Sequence, residues 1–370
     1  MEEISDKAPM LLVGIGGAGA AIARGVKRAY GEDLRFITID TDAASGHENT
    51  PFYLLGGDRL SGRGAGGDIV TARLATEDSI AIVDEALEDV RLAVIVTCLG
   101  GGTGGGGTLE AVRHFKDRGI PTVVFATIPF AFEGPDRLQN ARGIMPLIEE
   151  EANASFFVPL DKLVGGAEQM DEAMRRAVDT LASGVTLFWR LAGKPGYIRL
   201  DAERIRHLVA RAGRARFATV TAQGANRVAD ALAAVAQAPL LTNGSGEVRA
   251  ILCGVLAGDD LRLAEVGEIA QGVRSKFGET CAFELATVND ETTFSGRISL
   301  VVMLFESTGK DESDGKTGSA ITPKKQRKNR NPLAQGPQGR GRFNNAEPTV
   351  WNGEDLDIPT FLRRNINLDL

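Results

Sequence analysis

Residues Leu92–Leu99 read LAVIVTCL and run directly into Gly100–Gly107, GGGTGGGG, seven glycines around a single Thr103. Glycine loses more backbone freedom on folding than any other residue, so such a tract at the mouth of a buried strand needs a physical cause. The cause expected here is a loop whose backbone N–H groups approach phosphate oxygens where a Cβ would collide. Helical spacing then runs over TLEAVRHFK (108–116), so a helix N-terminus adds its positive end to the same phosphates.

Outward from the tract, strand-like and helix-like segments alternate. MLLVGIG (10–16), RFITID (35–40), AVIVTC (93–98) and TVVFATIP (122–129) read as buried strands. Helical stretches fall at 18–30, 68–88 and 136–152, and a fifth strand, SFFVPL (155–160), precedes a long helix over roughly 168–192. Strands apolar on both faces and separated by helices imply a parallel sheet covered on both sides. The rhythm then changes: strands at 216–223, 248–258, 281–290 and 297–306, with helices near 224–238 and 261–276, describe a smaller α+β unit. The short connection between its last two strands predicts a hairpin. The expected division is residues 1–192, 193–306, a disordered linker over 307–350, and a terminal peptide over 351–370. Between Gly315 and Ala346 the linker carries eight basic and no acidic residues, which suits a solvated spacer or weak contact with nucleic acid or lipid headgroups.

The chain has 370 residues, 43% of them hydrophobic and 25% charged, with a net charge of −7. These values fit a soluble protein with sizeable cores and give no global case for nucleic-acid binding. Cys98, Cys253 and Cys281 are far apart and odd in number, which predicts reduced thiols in a cytoplasmic protein. His47, His114 and His207 stand apart from each other and from the cysteines, so no zinc site is expected. Neither a signal peptide nor a transmembrane run is apparent, and no GxSxG or GxxxxGK[ST] motif occurs.

A first glycine turn, Gly14-Ile15-Gly16-Gly17-Ala18-Gly19, matches GxGxxG, and Asp40 and Asp42 follow the next strand. Alone these suit a Rossmann NAD-dependent oxidoreductase. That fold gives the second, richer tract no role. Two glycine loops facing each other, with Gly62-Arg63-Gly64-Ala65-Gly66-Gly67 as a third, fit one polyphosphate, hence a nucleoside triphosphate.

GGGTGGGG resembles the tubulin/FtsZ signature GGGTG[ST]G, and the agreement with bacterial FtsZ continues in order along the chain. GIGGAG (14–19) resembles the first phosphate loop, DTDA (40–43) the NTDA loop, and RGAGGD (63–68) the loop near the γ-phosphate. PFAFEGPDR (129–137), PLDKL (158–162) and AGDDLRL (257–263) are similar to PFxFEGxxR, PNDKL and AGxDLxL. LDIPTFLRR (356–364) is similar to the peptide that binds division partners.

The resemblance implies a Rossmann-like GTPase domain, a long central helix and a smaller α+β domain. It implies a cytoplasmic, mid-cell protein that binds GTP/GDP, with Mg²⁺ held through the nucleotide phosphates, and stacks head to tail into the filaments of the division ring. Leu356–Arg364 would meet membrane-tethering and regulatory proteins of the FtsA/ZipA type. Nucleotide contacts carried over are Gly16, Gly17, Ala18, Gly19, Ala20, Asp40, Gly66, Gly67, Gly101, Gly102, Thr103 and Gly104. Glu133 and Arg137 fall on ribose positions, and Asp171 on the base position. A carboxylate there accepts two hydrogen bonds from guanine that adenine does not offer. Read without the family, Glu133 and Arg137 are a surface i,i+4 pair and Asp171 a solvated helix residue.

The pattern departs where hydrolysis is completed. The family's NxDxxD loop, which acts on the next subunit's nucleotide, corresponds to Arg199-Leu200-Asp201-Ala202-Glu203-Arg204. Asp201 keeps the first acid, while Arg199 replaces Asn and Arg204 the second acid. Arg204 acts as an arginine finger, holds GTP in its ground state, or pairs with Asp201 and faces solvent. Glu203 is a substitute acid turned about 100° around the helix. Asp40 and Asp68 also stand where Asn is usual, adding carboxylates that repel phosphates unless Mg²⁺ bridges them. The expectation is a GTP-binding polymer with slow or altered hydrolysis, or a paralogue whose filaments hydrolyse little.

Overall fold

The computed structural model describes residues 10–31, 33–163, 169–194, 196–200, 202–209, 212–242, 246–307, 350–351 and 354–355. Strands β1 (Met10–Ile15), β2 (Phe36–Asp40), β3 (Phe52–Leu54), β4 (Leu92–Cys98), β5 (Thr122–Ile128) and β6 (Ala154–Pro159) come first. They alternate with helices α1 (Gly16–Tyr30), α2 (Gly57–Leu60), α3 (Ile69–Glu77), α4 (Thr108–Asp117) and α5 (Pro135–Glu151). Next come the long helix α6 (Met170–Gly193), α7 (Ala202–Val209), β7 (Ala212–Gln223), α8 (Arg227–Gln237) and α9 (Pro239–Thr242). The body closes with β8 (Val248–Ala257), α10 (Leu263–Phe277), β9 (Ala282–Asn289), α11 (Glu291–Phe294) and β10 (Arg297–Ser307). In the unit Gly315–Leu370 the described residues form a two-strand ladder, β11 (Val350–Trp351) on β12 (Glu354–Asp355). The linker expected over 307–350 and the partner-binding peptide Leu356–Arg364 otherwise lie outside the described residues.

All ten strands of the body share one sheet, ordered β3-β2-β1-β4-β5-β6-β7-β10-β8-β9. Only β10 runs against the rest. The sheet passes through the boundary expected at residue 193 by parallel pairing of β6 with β7, Ser155 to Arg214 and Phe156 to Ala215. Phe125 and Phe156 stack there at 4.5 Å with Phe217 edge-on to both. Gly184 of α6 passes so close to the Phe217 ring that a Cβ would overlap it.

The expected hairpin between the last two strands does not form. β9 pairs parallel with β8, and β10 crosses to the far side of β8, antiparallel to both β8 and β7. The connection accommodates this because Asp290 caps α11, accepting from the Thr293 N–H and hydroxyl.

Helix α1 and the C-terminal half of α6 cover one sheet face through Ile22, Val26, Leu181, Val185 and Phe188. Leu109, Val112, Phe115, Ile144 and Ile148 of α4 and α5 cover the other. Cys253 is buried in β8 and Cys98 half-buried at the end of β4, and no cysteine is disulfide-bonded. Among the described residues no helix is long and apolar enough to cross a membrane.

Candidate functional site

β1 and β4 are neighbours, yet the chain leaves β1 toward β2 and β3 on one side and β4 toward β5 and β6 on the other. The gap beyond their C-terminal ends is the topological switch point, where an open parallel sheet receives a ligand. Two helix N-termini meet in that gap. α1 begins at Gly16 directly after Ile15, and the second helix begins at Gly102 rather than at Thr108. Thr103–Gly107 form one π-helical turn that runs unbroken into α4. Neither start has a side-chain cap or an acid in its first turn. Their free N–H groups and dipole ends therefore face one space, which suits an anion.

The tract is thus a helix start, not the open loop expected, and most of its glycines serve packing. A Cβ on Gly104 would overlap the Cys98 carbonyl oxygen, and one on Gly106 the Ile69 carbonyl oxygen. On Gly102 it would lie 2.7 Å from the Asp68 oxygen, and on Gly19 2.5 Å from the Val96 oxygen. Gly101, Gly66 and Gly67 meet nothing within 4 Å and border open space. Gly16, at φ +75°, brings the first turn against Gly104, with 3.3 Å from its Cβ position to the Gly104 nitrogen. Gly17 and Ala18 are exposed beside it, while Ala20 is buried in the α1 face.

The loop after β2 is stitched to this junction. The hydroxyls of Thr41 and Thr103 lie 2.7 Å apart, and both side chains are buried. Asp40 is buried and accepts from the Thr41 N–H at 2.7 Å and the Ser45 hydroxyl at 2.5 Å. Both carboxylate oxygens are engaged by its own loop, which removes the free ribose acceptor that the oxidoreductase reading requires. The third loop follows: Ala43 N–H donates to Gly62 O and Gly64 N–H to Thr41 O. Asp68 is the N-cap of α3. Hydrogen bonds from the Thr71 hydroxyl and the Val70 and Thr71 N–H groups hold its carboxyl below the usual carboxylate range. The two carboxylates read as phosphate repellents are therefore local acceptors.

On the β5 side, Glu133 accepts from the Phe130 N–H at 2.9 Å and from Arg137 at 2.7 Å. Arg137 packs its Cβ 3.3 Å from the Cβ position of Gly100. The pair is the i,i+4 surface pair, set at the edge of the tract. Asn140, which sequence reading missed, donates to Gly67 O at 3.3 Å and Gly100 O at 3.5 Å, tying the third loop to the tract. Its spacing of three from Arg137, on the same helix face, was the available signal. Asp171 is exposed in the first turn of α6, and the preceding residues 164–168 are outside the described set.

The altered loop lies elsewhere. Tyr30, at the far end of α1 from Gly16, packs edge-on against Trp189 near the C-terminus of α6, and Lys194 lies over its ring. Lys194, from which the chain runs on toward the Arg199–Arg204 stretch, therefore stands one 15-residue helix, about 22 Å, from the junction at Gly16. Arg199 is exposed, and Arg204 pairs with Glu284 of β9 at 2.8 Å. Asp201 is outside the described residues; Glu203 lies on α7.

Residues 9–168 match the Tubulin/FtsZ family, GTPase domain. The cell division protein FtsZ of Coxiella burnetii is 28% identical and that of Pseudomonas aeruginosa 27%, each aligned over 98% of both chains. Among solved structures, an empty FtsZ dimer from M. jannaschii superposes with a TM-score of 0.75 at 25% identity, covering 81% of this chain and 88% of that one. A GTPγS-bound CetZ2 protofilament from Haloferax volcanii shares the fold, with a TM-score of 0.69 at 21% identity, covering 81% of this chain and 94% of that one. The switch-point junction of two glycine helix starts thus lies within a Tubulin/FtsZ-family GTPase domain over residues 9–168, in a chain similar to FtsZ along its length.

Proposed function

We propose that this chain is a GTP-binding cell division protein that polymerises head to tail, with hydrolysis completed between subunits. One observation carries the reading: the chain leading into the altered loop leaves from Lys194, which lies over Tyr30 at the opposite end of the 15-residue α1 from the anion-binding junction, about 22 Å along that helix. A single subunit brings only one of them to a given phosphate, so the second comes from a neighbour. Gly16–Gly19, Gly101–Gly104 and Thr103 would cradle the phosphates, with Gly66 and Gly67 over the terminal one. Glu133 and Arg137 would meet the ribose, and Asp171 the base. Mg²⁺ would arrive on the triphosphate, held by phosphate oxygens and water, in keeping with its reluctance to dehydrate. The protein would act at mid-cell, tethered through Leu356–Arg364 by partners of the FtsA/ZipA type.

Hydrolysis is proposed to be slow, because Arg204 supplies a cation where an acid would orient water, and Glu284 holds that cation. Adding GTP and Mg²⁺ to the full chain is expected to raise light scattering above a threshold concentration, with slow decay. ATP in place of GTP is expected to give no rise. Equal scattering with both nucleotides, or none with either, refutes the reading. Asp171→Asn is expected to weaken GTP binding about 10-fold while leaving the melting temperature unchanged, since one acceptor of a charged pair of bonds becomes a donor. Competition with GTP and ATP measures it.

A further inference from the structure

The stretch between α6 and α7 is held by the outermost strand of the sheet. β9 pairs with β8 alone in the strand order, so its other edge presents N–H and C=O groups that need partners. Ile198 supplies them at one point. The Thr287 N–H donates to Ile198 O at 2.8 Å, and the Ile198 N–H donates to the Thr287 hydroxyl at 2.9 Å. Gly196 is pressed against the Thr287 carbonyl so closely that a Cβ would overlap it. Three residues back on the same strand, Glu284 accepts from Arg204 at 2.8 Å. One edge strand thus grips the stretch on both sides of Arg199–Asp201.

We propose that β9 is the positioning strand of the interface loop, with Thr287 setting its backbone and Glu284 setting where the Arg204 charge stands. The inference rests on the proposed role of that loop toward the next subunit. The Arg204–Glu284 pair is partly exposed, at 56% and 29% of the side chains, so it adds little to stability. Its consequence is geometric: the guanidinium is held at Glu284 of β9, and an incoming phosphate must compete with that carboxylate for it. Thr287 and Glu284 act through the loop and are positioning residues, remote from the chain's own nucleotide junction.

The test compares Thr287→Val, which removes the hydroxyl at nearly constant volume, with Thr287→Ser, which keeps it. Hydrogen exchange at the Ile198 amide is expected to speed about 10-fold in Thr287→Val and to stay near wild type in Thr287→Ser. GTP turnover of assembled protein is expected to fall about 5-fold in Thr287→Val only, with nucleotide affinity of the dilute chain unchanged. Glu284→Gln is expected to shift turnover about 3-fold in the parent and not in an Arg204→Ala background. Unchanged Ile198 exchange in Thr287→Val overturns the inference, as does an equal Glu284→Gln effect in both backgrounds. If no GTP is hydrolysed at any concentration, the proposed function fails, while Ile198 exchange still decides the role of Thr287.

Discussion

Gly104→Ala is expected to cost about 3 kcal/mol of stability and to abolish nucleotide binding, whereas Gly101→Ala weakens binding alone. The difference follows from what each new methyl group meets. At Gly104 it meets the Cys98 carbonyl oxygen, a backbone atom that no rotamer change can move aside. Either the π-helical turn or the end of β4 must shift. The Thr97 hydroxyl has its one proton within reach of both the Gly104 carbonyl oxygen, at 3.0 Å, and the Ile15 carbonyl oxygen, at 3.2 Å, so a shift of the tract is passed to the first turn. Both helix starts then lose their alignment on one anion. At Gly101 the methyl group meets nothing within 4 Å, so only a ligand approaching the backbone there would feel it. Thermal denaturation and GTP binding of the two variants separate these effects. Wild-type melting in Gly104→Ala would show that the tract does not pack against β4 as described.

The parallel sheet and the three glycine loops were legible because their signals are local. Fully buried strands such as Leu92–Cys98 read as unbroken apolar runs, and glycine loops stand directly after them. The helical state of Thr103–Gly107 was not legible, because glycine is among the poorest helix formers and its selection there reflects neighbours distant in sequence. The Gly106 position is decided by Ile69 and that of Gly104 by Cys98, contacts that no spacing rule encodes. The same holds for β9 and β10. Their seven-residue connection, 290–296, has hairpin length, and only the insertion of β8 between them shows otherwise. Caps were half visible: Asp68 and Asp290 each precede a Thr three residues on, the pattern of an N-cap, but Asp68 was read as a phosphate neighbour. Asn140 offered only its spacing from Arg137 and Thr287 no signal at all, since each matters through a backbone group on another element.

Restoring an acid at position 204 is expected to raise GTP turnover about 100-fold, provided the loop keeps its hold on β9. Arg204→Asp by itself confounds two changes. It supplies the acid, but it sets a carboxylate against Glu284 where an ion pair at 2.8 Å stood, so like charges push the loop off the strand. The exchange Arg204→Asp with Glu284→Arg keeps an attractive pair across the same gap while reversing which element carries the acid. Turnover per subunit is measured against protein concentration, because a group supplied by a neighbour acts only in the assembled state. A large gain in the double variant above the assembly threshold, with a smaller gain in Arg204→Asp, identifies the missing acid as the limit on chemistry. Wild-type turnover that is already fast and unaffected by either variant places water activation on Asp201 or Glu203, and Arg204 then serves the subunit contact alone.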